Sequence, residues 1–540
     1  MPLITDTTVP SVLRAAAQQH RDHPAIIDAD LQLSYFELEQ HVHHVARAYL
    51  TLGITHTDRV AIWAPNRHEF AVALLAAQTI GASAVPMNTR FTGYEAEAIL
   101  ERSRARMLIV ADGFLGKGYL DALKGAATRD LGGTLVPSLP HLETIVTLDP
   151  APSHPDALSW ARLRERAQDI TSEQLDEAIS RVSESDVADI MFTSGTTGLP
   201  KGVLSTHRQN LSVARSWAAG ANLTPDDRYL IVNPFFQSWG YKAGLLSSVV
   251  AGTTMYPLPT FDPEQTLATI ERERISVLPG VPTIFTTLID HPQLTDFDIS
   301  SLRFAIAGAA TVPESLFRDM VEILGFESVG QAYGLTECVV ATMSRPNESF
   351  AHIAETTGPA ADGVEIRIIA ADGSEVPRGT DGEIVMRGPN VTEGYFEDAE
   401  ATAAAFDSDG WFHTGDVGRM DEHGCVKITD RLKDMYIVGG FNVYPAEIEN
   451  ALRTHPAVNE SAVVGVPDAR MGAVGLACVM LRDGSGETPE ELLAYLRERL
   501  SNYKVPARLE IVADFPRNAM GKILKNALRD QVIARYGSAR

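Results

Sequence analysis

The sequence predicts an α/β protein in two parts: a large N-terminal part and a smaller α+β unit beginning near Asp430. Three observations predict it. Short apolar runs suited to strands alternate with stretches of helical spacing along most of the chain. Several of these runs end in small residues, as strands do when they deliver backbone to a crevice. Beyond Asp430 the alternation continues for roughly a hundred residues, enough for a separate small core.

Taken in order, Arg59–Trp63 predicts a strand, and the segment 66–80 after it has helical spacing. The most apolar stretch, Phe70 to Met87, is interrupted by Gln78, Thr79, Gly81 and Ser83, so it predicts a buried helix followed by a strand and not a membrane span. Residues 106–111 predict a further strand. The segment from Gly113 to Ser159 is rich in Gly and Pro and reads as a variable excursion. Residues 277–280 and 304–308 predict strands that end in small residues. In the C-terminal unit, 443–453 predicts a helix and 461–466 a strand. A second helix is expected over 488–500, with Thr488 as N-cap, Pro489 in the first turn and Glu491 closing a capping box. Residues 505–512 predict the last strand.

Bulk properties narrow the function. With 540 residues, 45% hydrophobic and 21% charged, the chain has room for more than one domain and is neither disordered nor fibrous. A net charge of −24 disfavours a long electropositive track for nucleic acid, although a few focused cations and backbone N–H groups still suffice for a small anion. Cys338, Cys425 and Cys478 are scattered, which suggests neither a disulfide framework nor a zinc site. The N-terminus lacks a basic segment followed by a continuous apolar one. A cytoplasmic location without a transmembrane segment is therefore expected. Nothing in the sequence decides whether the chain forms a homodimer.

The strongest local signal is Thr193-Ser194-Gly195-Thr196-Thr197-Gly198-Leu199-Pro200-Lys201-Gly202, which follows the strand-like run Asp189-Ile190-Met191-Phe192. Glycines let the backbone approach a polyphosphate, hydroxyls add donors and lysine adds a charge. It is not a Walker A loop, because Pro200 precedes the lysine and no Gly-Lys-Ser/Thr closes it. A Gly/Thr string of this kind, taken alone, is also a plain polar turn.

This string resembles the signature loop of the adenylate-forming superfamily, which contains acyl-CoA synthetases, firefly-type luciferases and peptide-synthetase adenylation domains. Four further motifs resemble that family's in its order: Tyr333-Gly334-Leu335-Thr336-Glu337, Trp411-Phe412-His413-Thr414-Gly415-Asp416, Asp430-Arg431-Leu432-Lys433-Asp434 and Pro516-Arg517-Asn518-Ala519-Met520-Gly521-Lys522. The resemblance spans nearly the whole chain. It implies a large N-terminal domain of several subdomains over 1–431, with mixed sheets flanked by helices, and a small mobile α+β domain over 432–540. It implies an ATP-dependent carboxylate–CoA ligase working in two steps. Acid and ATP give acyl-AMP and pyrophosphate; acyl-AMP and coenzyme A then give acyl-CoA and AMP. A ligase that loads a carrier protein would share every motif, and a non-catalytic nucleotide-binding protein is the alternative of a different class.

Adenylation brings an anionic carboxylate against an anionic nucleotide, so it needs positioning and charge neutralisation more than covalent help. By resemblance, Thr193, Ser194, Gly195, Thr196, Thr197, Gly198 and Lys201 hold the outer phosphates. Glu337 binds Mg²⁺, a hard cation suited to oxygen ligands. Tyr333, with Gly334 beside it, stacks on adenine, Thr336 contacts the α-phosphate, and Gly308, Ala309 and Ala310 lie along the base. Asp416 accepts from the ribose hydroxyls, and Arg431 reaches the same sugar. Lys522 bridges the carboxylate and the α-phosphate. Lys433 is the hinge, and Gly439, Gly440 and Phe441 line a tunnel for pantetheine. Trp411 and Phe412 read as core packing. His413 reads as a structural residue, since a carboxylate needs no base at neutral pH.

The acid itself is less determined. Many acyl-CoA synthetases have His where this chain has Gln237, and amino-acid adenylation domains usually carry an Asp near here, which residues 233–243 lack. The expected pocket wall is Phe236, Gln237, Trp239, Tyr241, Val281, Cys338 and Val339. Its acid is expected to be either a medium- or long-chain fatty acid or a bulky alicyclic propanoate. For the latter, the run 233–244 resembles bacterial ligases acting on propanoate side chains of degraded steroid rings. For the first half-reaction, Lys522→Ala is expected to slow acyl-AMP formation by roughly 10²–10³-fold, the effect of losing a preorganised charge. Thioester formation from supplied acyl-AMP should be largely spared; equal damage to both steps would remove Lys522 from its assigned role.

Overall fold

The structure is a computed structural model and describes residues 2–126, 138–148, 154–194, 200–308, 312–346, 348–431, 435–482, 484–516 and 523–536. Two sheets and their flanking helices dominate the large domain. The first has seven strands, in the order Leu158–Ser159, Thr144–Thr147, Met107–Val110, Arg59–Trp63, Ser83–Pro86, Val187–Ser194 and Pro200–Thr206. Its pairings are parallel except the last, where Val187–Ser194 and Pro200–Thr206 form an antiparallel hairpin. The second sheet runs Arg228–Ile231, Thr254–Pro257, Pro24–Asp28, Leu31–Ser34. Beside it, Phe304–Ile306 pairs in parallel with Ser328–Gly330.

Strands covered on both faces read as continuous apolar runs, and Met107–Val110 and Ser83–Pro86 are buried at every position. The helix His68–Thr79 between the sheets is buried nearly all round, which is what the uninterrupted apolar stretch requires. It starts two residues later than its spacing predicts. Arg67 is extended, and the Asn66 side chain is used elsewhere: its amide donates to the carbonyls of Ile231 and Asn233, both at 2.9 Å, and its oxygen accepts from the Phe235 N–H. The run 277–280 is the clearest departure. It makes only isolated bridges, at Val277 and Gly280, because Pro279 between them has no N–H to give a ladder.

Two antiparallel units complete the molecule. Glu365–Ile369, Gly382–Arg387, Phe412–Met420 and Val426–Arg431 form a four-stranded sheet. The C-terminal unit has five strands, with Gly472–Leu481 at its centre, and its own apolar core around Val443, Ile448, Val463 and Leu492. Its helix Pro489–Arg499 carries the expected capping box between Thr488 and Glu491. The expected domain boundary, between 431 and 432, borders residues 432–434, which lie outside the described residues. The last strand is Arg508–Ile511, shorter than its apolar run. No helix among the described residues is long and apolar enough to cross a membrane. All three cysteines are buried and free, and burial pushes their thiols up, Cys338 to about 12 and Cys425 and Cys478 to about 11.

One buried histidine ties the N-terminus to this scaffold. His207 is fully buried, and its Nδ1 accepts from the Val9 N–H at 3.2 Å. Burial lowers its pKa from 6.5 to about 4, opposed by Asp186 and assisted by His56. The unfolded chain therefore binds the proton more tightly. The stabilisation is complete above about pH 6.5 and is lost as pH falls toward about 4, by up to about 3 kcal/mol for a full shift of this size. His207→Asn keeps an acceptor for Val9 but does not titrate. Its Tm should fall less steeply than that of the wild type between these pH values in calorimetry; parallel profiles would assign the acid sensitivity to other groups.

Candidate active site

Three large-domain units and the small domain enclose a cavity of about 590 Å³. The antiparallel hairpin forms one side. Thr193 and Lys201 are cross-strand partners at its end, and Ser194 pairs with Pro200. Gly195, Thr196, Thr197 and Gly198 lie outside the described residues, as do Ala309, Ala310, Lys433 and Lys522. Thr193 and Lys201 line the cavity.

A second side is the turn between Ala332–Leu335 and Cys338–Met343, which places Gly334, Thr336 and Glu337 in the wall. A Cβ at Gly334 would lie 2.7 Å from the Val340 nitrogen and 2.9 Å from the Cys338 carbonyl, so only glycine permits this tight approach. Glu337 Oε1 accepts a hydrogen bond from the Tyr395 hydroxyl at 2.9 Å. Burial, and then the Glu337 charge, raises the Tyr395 pKa, which keeps the phenol a donor. Lys201 Nζ sits 5.2 Å from the Tyr395 ring centroid, so this tyrosine joins the hairpin to the carboxylate. Sequence reasoning missed Tyr395; its only signal is an aromatic after Gly394, too common a pattern to single out.

Asp416 is almost wholly buried yet borders the cavity. Its Oδ2 accepts from the Tyr333 hydroxyl at 2.5 Å, and its backbone pairs across the ladder with Arg431. Tyr333 thus stands behind Asp416. The neighbouring His413 does not line the cavity: its Nδ1 is 3.0 Å from Glu383, whose other oxygen accepts from the Gly415 N–H. Trp411 and Phe412 are buried, with the guanidinium groups of Arg367 and Arg387 over the indole at 4.3 and 4.7 Å.

The expected acyl wall divides. Phe236, Gln237 and Trp239 line the cavity. Trp239 packs edge-on against Trp217, with Gly308 against its outer edge, and opens the π-helix Trp239–Leu246. The side-chain amide of Gln237 has no hydrogen-bond partner among the described residues. Tyr241, Val281, Cys338 and Val339 are not among the lining residues. Tyr241 is fully buried one turn on, where its hydroxyl accepts from Gln78 at 2.5 Å and Asn210 at 3.1 Å. Its large aromatic face is spent in the core, which residue type alone does not reveal.

That hydroxyl belongs to a wholly buried polar cluster. Asn210 Nδ2 donates to Asp189 Oδ2 at 2.5 Å, Lys242 Nζ lies 3.3 Å from Asp189 Oδ1, and Lys242 donates to Ser205 Oγ at 2.6 Å. Burial pulls both charged groups toward neutrality, raising Asp189 and lowering Lys242, and each opposes the shift in the other.

The small domain supplies the remaining side. Gly440 and Phe441 line the cavity, and Gly439 stands behind them with its N–H bonded to the Met471 carbonyl at 2.9 Å. Gly440 has φ +85°, and a Cβ there would lie 2.8 Å from Val281, so the close passage of this turn over the large domain requires glycine.

The model of the AMP-binding enzyme family matches residues 13–396, and that of the AMP-binding enzyme C-terminal domain matches 447–522. The chain is 47% identical over 528 residues to a 3-[(3aS,4S,7aS)-7a-methyl-1,5-dioxo-octahydro-1H-inden-4-yl]propanoyl:CoA ligase of Mycobacterium tuberculosis, covering 97% of this chain and 98% of that one. A protein of the same description from Rhodococcus jostii is 44% identical over 525 residues, covering 97% and 99%. Among solved structures, an amide bond synthetase from Marinactinospora thermotolerans superposes with a TM-score of 0.80 at 28% identity, covering 96% of this chain and 99% of that one. Matched by family models in both of its parts and by relatives along nearly its whole length, the chain belongs to the AMP-binding enzyme family.

Proposed function

We propose that this protein is an AMP-forming acid–thiol ligase, an acyl-CoA synthetase, whose acid is a propanoate carried on a bulky ring system bearing oxygen. The observation that carries the reading is the single cavity shared by Thr193 and Lys201, Thr336 and Glu337, Asp416, the Phe236–Trp239 wall and the Gly440–Phe441 turn. Phosphate-binding, sugar-binding and apolar groups thus face one volume.

In the first step a carboxylate oxygen of the acid attacks the α-phosphorus of ATP, and pyrophosphate leaves. Thr193, the loop 194–198 and Lys201 hold the outer phosphates, Thr336 contacts the α-phosphate, and Asp416 and Arg431 fix the ribose. Tyr333 braces Asp416 from behind, and Gly308–Ala310 border the base. Lys522 neutralises charge where the new bond forms. In the second step the thiol of coenzyme A attacks the acyl carbonyl and AMP leaves, with the pantetheine arm passing Gly439–Phe441 and Lys433 serving as the hinge between steps. Glu337 fits a Mg²⁺ ion: it is a carboxylate oxygen ligand at the phosphate side of the cavity, and this ion commonly takes one or two such ligands plus substrate phosphates. Glu337 would hold the ion, which would supply Lewis-acid neutralisation of the charge that builds on the leaving pyrophosphate.

The ring-acid reading rests on Gln237 and on the relatives. An amide with no hydrogen-bond partner among the described residues, in a cavity wall shared with Phe236 and Trp239, suits a flat apolar ring that carries an oxygen acceptor. The two bacterial relatives are named for a ring-borne dioxo propanoate.

The test is pyrophosphate release and free-thiol consumption with a panel of acids. A ring-dione propanoate should give a higher kcat/KM than straight-chain acids of similar size. Acyl-AMP that accumulates without consuming coenzyme A would assign the chain to carrier-protein loading. Gln237→Leu should lower kcat/KM for the ring acid by about 1–3 kcal/mol, the cost of leaving a buried polar group unpaired, while activity on a plain fatty acid holds or rises. A wild type that prefers straight-chain acids, with Gln237→Leu changing all substrates alike, would leave a general fatty acyl-CoA synthetase.

A further inference from the structure

Where the two domains meet, the chain buries a lysine. Lys504, in the small domain, is only 3% exposed. Its Nζ lies 2.7 Å from Oε1 of Glu95 in the large domain and 2.5 Å from Oε1 of Glu447 in its own domain. Glu95 also accepts from Ser501 Oγ at 2.7 Å. The same helix start in the large domain is gripped again, because Thr92 Oγ1 donates to the Arg499 carbonyl at 2.9 Å. Next to Lys504, the Tyr503 ring packs on Phe441 with centroids 4.7 Å apart, and the Arg90 guanidinium of the large domain lies over the Phe441 ring at 4.8 Å. The contact that docks the domain therefore also fixes a cavity-lining residue.

Burial of this kind gives definition more than strength. An ammonium held between two carboxylates away from water gains little net stability over an apolar contact, but a displaced partner leaves an uncompensated charge. Burial alone would lower the Lys504 pKa; the two glutamates outweigh it and hold the group firmly protonated. Any rotation of the small domain must separate Lys504 from Glu95, whereas Glu447 travels with it. The cross-domain half of the clamp therefore distinguishes one domain arrangement from every other.

We propose that Lys504, clamped between Glu95 of the large domain and Glu447 of the small domain, is a positioning residue that selects the arrangement in which Phe441 walls the cavity for thioester formation, and that its release from Glu95 is required before adenylation. This rests on the two-step ligase reading. Two substitutions separate the clamp from ordinary folding. Lys504→Met removes the ammonium, and Glu95→Gln removes the cross-domain charge attraction and turns an amide N–H toward Lys504. Gln at Glu95 still serves in the Thr92 capping box, so the helix start is kept.

The measurement uses the full chain and splits the half-reactions: pyrophosphate release from ATP and acid without coenzyme A, and acyl-CoA formation from supplied acyl-AMP at saturating coenzyme A. Both variants should slow thioester formation by about tenfold or more while pyrophosphate release is retained or rises. Lys504→Arg, which keeps the charge, should recover more of the thioester rate than Lys504→Met. If Lys504→Met does not fold, Glu95→Gln carries the same test. Equal loss in both half-reactions, no change in either, or a raised KM for coenzyme A with an unchanged saturated rate would overturn the clamp. A wild type that makes acyl-AMP but no acyl-CoA would overturn the ligase reading and the clamp with it; a competent wild type with variants impaired equally in both steps would overturn the clamp alone.

Discussion

The Asp189–Lys242 pair is buried to the point that neither group meets water, and the large domain is organised around it. Asp189 lies on the strand Val187–Ser194, which carries the cavity-lining Thr193. Lys242 lies on the π-helix whose first residue, Trp239, lines the same cavity. Asn210, Ser205, Gln78 and Tyr241 complete the set, so two helices, both strands of the hairpin and the π-helix meet at one point. Buried charges tolerate little displacement, since a lost partner costs more than the pair contributes. The spacing between the hairpin wall and the Trp239 wall of the cavity is therefore held by an interaction that does not itself line the cavity. A π-helix suits this place, because its wider turn is found mostly at functional sites.

A second ionic contact of similar burial joins the domains, and it works on a different part of the problem. The interior pair fixes two walls of the cavity against each other. Lys504, Glu95 and Glu447 govern when the third wall, Phe441, is present. Rigid spacing within the large domain and a separable contact between domains are what a site needs if one volume is to serve two successive reactions.

How much of this was legible in the sequence depends on the range of the interaction. The strand before the Gly- and Thr-rich string, the Thr488–Glu491 capping box and the buried helix near Leu74 follow from neighbours a few residues apart, and each is present. The strand expected at 277–280 fails at Pro279 for an equally local reason, the missing N–H. Long-range pairings leave no such trace. Glu95 and Lys504 are 409 positions apart, and Tyr395 reaches Glu337 across 58. Tyr241 was placed on the acyl wall by residue type and proximity to Trp239; the π-helix directs it instead to Asn210 and Gln78. Candidate nucleotide-site positions stand out in the sequence only because whole motifs, not single residues, resemble the family's. The acyl wall has no motif, and just its Phe236–Trp239 portion faces the cavity.

The burial of the three cysteines bears on the intermediate. An acyl-adenylate is a mixed anhydride, open to attack by any thiolate that can reach it. Cys338 directly follows Glu337 at the cavity wall, yet it is fully enclosed and its thiol is pushed up to about 12; Cys425 and Cys478 are raised to about 11. Thiolate, not thiol, is the nucleophile, and at neutral pH these side chains supply almost none. The protein thus handles a reactive acyl donor without a sulfur nucleophile of its own to divert it, and self-acylation is suppressed by the same packing that builds the core.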